Sequence, residues 1–125
     1  MKRKNDPRHL KRAKIVKQLF SFGFSQPLKA SRNISAIVSS LPQIDRLIAS
    51  SAPDRPIEQI NRIDLAILRL AVFELIIKKD APYKVVVDEA VELGKEYGSA
   101  SSAAFVNGVL GKLIELEGIA HADQL

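Results

Sequence analysis

The chain has no cysteine and no tryptophan among its 125 residues, and only two histidines and one methionine. Without cysteine there is no disulfide framework, thiolate metal site or cysteine nucleophile, and the composition suits a reducing cytoplasm. No G-x-x-x-x-G-K-[ST] loop and no G-x-G-x-x-G turn occurs, so no nucleotide cradle is signalled. Long apolar runs are also missing. The most apolar stretch, Leu65 to Ile77, is interrupted by Arg69 and Glu74 and falls short of the roughly 20 apolar residues that span a membrane. Near the start, Ile15 to Phe20 is too short and too polar for a signal peptide. A cytoplasmic protein with no membrane contact is expected.

What is present is an ordinary globular balance, 46% hydrophobic and 26% charged, at a length that suits one domain over residues 1–125. The formal net charge of +5 is unevenly placed. Residues 1–17 hold eight basic side chains (Lys2, Arg3, Lys4, Arg8, Lys11, Arg12, Lys14, Lys17) and one acid, Asp6, whereas the remainder holds 11 basic and 13 acidic residues. The basicity is therefore an N-terminal arm, which suits a polyanionic partner or a solubilised terminus.

Proline and glycine punctuate a helical pattern, and no alternating segment bounded by hairpin turns is found. Pro7 suits the first turn of a helix over about 8–22, with Ile15, Val16, Leu19 and Phe22 as its apolar stripe. Pro27 opens a second helix with Leu28, Ile34, Ile37, Val38 and Leu41 as buried candidates, and Pro42 begins a third through Ile44, Leu47 and Ile48. Two prolines in Ser51–Pro56 mark a linker. A short turn at Ile57–Ile60 then leads to a central helix capped at Asp64 and ending at Lys78 and Lys79. A further helix runs from about Lys84 to Tyr97, and Ser99 or Ser101 caps the last. The expectation is an all-α fold of two small antiparallel bundles, about 8–51 and 56–117, with six to seven helices.

Catalytic constellations are not evident. His9 and His121 read as surface histidines, and the acidic group Asp88, Glu89, Glu92 and Glu96 reads as a solvated helix face. No enzyme activity, cofactor or metal is expected. The chemistry that stands out is binding. Phe20 and Phe105 lie off the centres of their helices' apolar stripes, where they either stack on bases or pack in the seam between bundles.

Three ordered blocks carry a more specific signal: Ile67–Leu75, Pro82–Lys95 and Phe105–Leu110. They resemble the signature blocks of the NusB family of transcription antitermination proteins, and Arg12-Ala13 with Gln18-Leu19-Phe20 resembles the family's opening helix more weakly. The resemblance implies binding of a boxA-type single-stranded RNA element together with the ribosomal protein NusE. Other Nus factors and RNA polymerase are implied indirectly, in a complex that suppresses termination, notably on ribosomal RNA operons. Carried over by position, Lys2, Arg3, Lys4, Arg8, Lys11, Arg12, Lys17, Phe20, Lys84 and Phe105 are the expected RNA-facing set, and Glu58 and Asp64 the expected NusE-facing positions. The alternative is an accessory RNA-binding or protein-interaction module linked to ribosomal RNA processing or modification. The chain departs from the family pattern in its Lys-rich arm and at Asp88, Gly94 and Gly111; the glycines, set inside helices, are expected to weaken the second bundle.

Overall fold

The computed structural model describes residues 5–25 and 31–119. Pro27, Leu28, His121 and the arm residues Lys2, Arg3 and Lys4 lie outside the described residues. Among the described ones every regular element is helical.

Helix α1 spans Pro7–Ser25. Asp6 starts it, its carboxylate accepting the Arg8 N–H at 2.8 Å while its carbonyl accepts the Leu10 N–H at 2.9 Å. The helix ends two residues past Gly23, near which it was expected to stop. The Gly23 carbonyl accepts a 2.9 Å hydrogen bond from the Arg62 guanidinium, which ties the end of α1 to the start of the central helix.

The helix expected to open at Pro27 is short: α2 is Ser35–Ser39, preceded by a turn over 32–34. Serine hydroxyls here compete for backbone carbonyls, Ser39 Oγ donating to the Ser35 carbonyl at 2.9 Å. Helix α3, Leu41–Ser51, carries Pro42 in its first turn, as expected. The linker at 52–56 and a 3₁₀ turn at Ile57–Gln59 follow.

Helix α4 spans Arg62–Val72. Its cap is Asn61 rather than Asp64: the Asn61 side chain accepts the Ile63 and Asp64 N–H groups at 2.9 and 3.4 Å. Once those amides are satisfied three residues earlier, Asp64 is carried into the interior. The chain then widens into a π-helical segment, Phe73–Lys78, closed by the Lys79 N–H on the Glu74 carbonyl five residues back. Lys79 takes a left-handed conformation at φ 55°.

Helix α5 covers Tyr83–Tyr97 and α6 covers Ser102–Glu117. Neither Ser99 nor Ser101 caps α6 through its side chain. The Ser102 hydroxyl instead accepts the Ser99 N–H at 2.9 Å and shapes the corner between the helices.

Helix α4 is central and packs on α1, α3, α5 and α6. Val16, Ile44, Ile48, Leu68, Val72, Val106 and Leu110 are fully buried and belong to one continuous core. Burying each such side chain contributes about 1.5–3 kcal/mol. Gly94 serves this packing: a Cβ there would lie 3.2 Å from the Ala103 nitrogen, so an alanine would require the α6 backbone to give by a few tenths of an ångström. The expected weakening by Gly94 is thus offset by helix contact, while at Gly111 a Cβ would meet nothing.

Candidate nucleic-acid interface

The arm's charges divide into two groups once α1 is docked. Lys11 and Lys14 are exposed on its outer face and engage no carboxylate among the described residues. Arg8 is also exposed, with the Asp6 carboxylate 3.9 Å from its Nε. Lys17 extends over the ring of Tyr97, its Nζ 5.1 Å from the centroid. Tyr97 is 38% exposed at the end of α5, so cation and aromatic together form a surface platform.

Arg12 belongs to the other group, its side chain turned toward carboxylates of the neighbouring elements. Its guanidinium grips Glu74 through two hydrogen bonds of 2.9 and 2.8 Å and reaches Glu89 at 3.4 Å. Glu74 comes from the π-helical segment and Glu89 from α5, so Arg12 fastens α1 to both. The hydrogen bonding to Glu74 outweighs burial and raises the Arg12 pKa further, so the group is always charged.

His9 is likewise not a surface residue. It is 3% exposed, with Nδ1 2.9 Å from Glu89 and Nε2 2.6 Å from Glu96. With a carboxylate at each ring nitrogen, the imidazolium donates both hydrogen bonds. Burial would lower its pKa, but the hydrogen bonds to Glu89 and Glu96 prevail and raise it above 6.5. Glu89 and Glu96 of the acidic group on α5 thus receive α1, while Asp88 is exposed and Glu92 pairs with Lys95. The sequence did hold a signal for this: His9 and Arg12 continue the three-to-four spacing of Ala13, Val16 and Leu19 one turn back.

Phe20 and Phe105 are both partly buried and packed against the core. The guanidinium of Arg55, from the linker, lies over the Phe105 ring with Cζ 4.3 Å from its centroid. Lys84 sits beside Tyr83, its Nζ 5.9 Å from the ring centroid. That is the start of α5, about 20 Å along the helix from Tyr97 at 1.5 Å per residue, so Lys84 is not brought to the Tyr97 end. Glu58 is exposed on the 3₁₀ turn. Asp64, by contrast, is 3% exposed and its Oδ1 has no hydrogen-bond partner among the described residues. Sequence reasoning missed Tyr97 and Arg55. The flanking prolines of Arg55 marked only a linker, and nothing local places it against a ring 50 positions away.

No group of three or more histidine, aspartate or glutamate side chains is arranged to hold a metal ion among the described residues. None of the described helices is long and apolar enough to cross a membrane.

These features define an all-α module, with six α-helices among the described residues, a cationic outer helix face and cation–aromatic pairs at its surface. The chain belongs to the NusB family, whose sequence profile matches residues 26–115. Among its relatives, the transcription antitermination protein NusB of Shewanella sp. (strain W3-18-1) is 45% identical over 80 residues, which cover 64% of this chain and 59% of that one. The protein of the same name from Alkaliphilus oremlandii (strain OhILAs) is 44% identical over 86 residues, covering 69% of this chain and 62% of the relative. The matches thus span less than two thirds of these relatives' own length. The solved structure of T. maritima NusB superposes with a TM-score of 0.79 at 28% identity, covering 88% of this chain and 92% of that one.

Proposed function

We propose that this chain is a non-catalytic, cytoplasmic antitermination factor that binds a boxA-type single-stranded RNA together with NusE and thereby suppresses transcription termination. The observation that carries this reading is the outer face of α1, where Lys11 and Lys14 are exposed and meet no carboxylate among the described residues and Lys17 lies on exposed Tyr97. Phosphates engage the lysines, and bases stack on the aromatic groups. Lysines give point-charge contacts that position the strand, so sequence preference rests on the rings and on the protein partner. Glu58, exposed on the 3₁₀ turn, is the better placed of the two expected NusE contacts. Two modest contacts, one to RNA and one to NusE, reinforce each other through effective concentration.

Titration of the purified chain against a boxA-like strand and a scrambled strand, with and without NusE and at two salt concentrations, tests the proposal. Preferential binding to boxA that tightens with NusE is expected. Equal, salt-labile binding to both strands regardless of NusE overturns it.

A further inference from the structure

The guanidinium of Arg55 covers the ring of Phe105, with Cζ 4.3 Å from the centroid. Both partners are held in place independently. Phe105 packs against the core, and its N–H bonds the Ser101 carbonyl at 3.0 Å in the first turn of α6. Arg55 lies between Pro53 and Pro56, which restrict the backbone, and its N–H is tied to the Ala52 carbonyl at 3.1 Å. Packing of α3 on α6 brings this linker beside the ring.

Arg55 is exposed, and no carboxylate pairs with it among the described residues. The guanidinium lies over the ring, and because Arg55 is exposed its side away from the ring is open to a ligand. A flat, solvent-exposed cation backed by a ring suits a flat, electron-rich group attached to an anion, and a nucleotide base with its phosphate is such a group. A base approaching this side of Phe105 therefore meets Arg55 first.

We propose that Arg55 is an RNA-binding residue, forming with Phe105 one layered surface on which a base of single-stranded RNA stacks. The inference rests on the RNA-binding reading above and adds the element that presents the base. Phe105 serves as the floor that orients the guanidinium, and Arg55 makes the contact.

The test uses the full chain and a boxA-like RNA carrying 2-aminopurine, whose fluorescence reports stacking. Arg55→Ala and Arg55→Lys are compared with Arg46→Ala, which removes an exposed charge from α3. Both Arg55 variants are expected to bind about tenfold more weakly and to lose quenching at one position, with unchanged thermal melting. Arg46→Ala stays within about twofold. Wild-type affinity in Arg55→Lys would show that a point charge suffices and overturn the layered surface. Tighter binding by Arg55→Ala would make Arg55 a cover over Phe105, and a loss confined to NusE binding would make it a protein contact; either outcome overturns the proposal. If the wild-type chain binds no RNA, the functional reading itself fails, whereas wild-type binding untouched by Arg55→Ala sinks this inference alone.

Discussion

His9 and Glu89 are 80 positions apart in the chain, yet His9 Nδ1 lies 2.9 Å from Glu89 Oε2 in the interior. Because Glu96 holds the other ring nitrogen, the pair requires a charged imidazole. With Arg12 and Glu74 it joins a network of two cations and three carboxylates that seats the arm-bearing helix.

The raised pKa of His9 sets a pH dependence. Its stabilising contribution is complete below the unfolded-state value of about 6.5 and is lost as pH rises through the higher folded value. Thermal melts across this window are expected to fall with rising pH in the wild type, with that component absent in His9→Gln. An NMR titration placing the His9 midpoint below 6.5 would contradict the network.

Arg12 is expected to act on stability more than on RNA. Lysine keeps the charge but not the paired hydrogen bonds to Glu74, so Arg12→Lys should cost about 1–3 kcal/mol. RNA affinity of the folded variant should remain within about twofold. Unchanged melting with weakened RNA binding would return Arg12 to the RNA-facing set.

Lys11 and Lys14 give the opposite result. The double variant Lys11→Ala/Lys14→Ala is expected to melt like wild type. The slope of log affinity against log salt should shrink by about 1.4 if both contact phosphates, since each contact to a single strand contributes about 0.7. An unchanged slope would remove the outer face of α1 from the interface.

The two helix-interior glycines should respond differently to alanine. At Gly111, where a Cβ meets nothing, Gly111→Ala is expected to stabilise by about 0.5–1 kcal/mol. At Gly94 the new Cβ would press on the Ala103 backbone, so Gly94→Ala should gain less than Gly111→Ala or lose stability. Denaturant melts of the two variants measure the difference.

The sequence by itself determined the all-helical class, the placement of α3, α5 and the linker, and the concentration of positive charge at one end. These follow from local physics: apolar spacing, proline at helix starts and the count of charges. The resemblance in Ile67–Leu75, Pro82–Lys95 and Phe105–Leu110 also pointed to the NusB family, to which the chain belongs. Only the tertiary structure decided which arm charges face outward. Arg12 and Lys11 are adjacent and both basic, but a helix turns neighbours about 100° apart. One therefore meets Glu74 and Glu89 across the interface while the other stays in water. Tertiary packing likewise moved Asp64 inside, because Asn61 had already capped α4. Arg55 reached Phe105 only because α3 and α6 lie side by side, a contact between distant segments that no local pattern records.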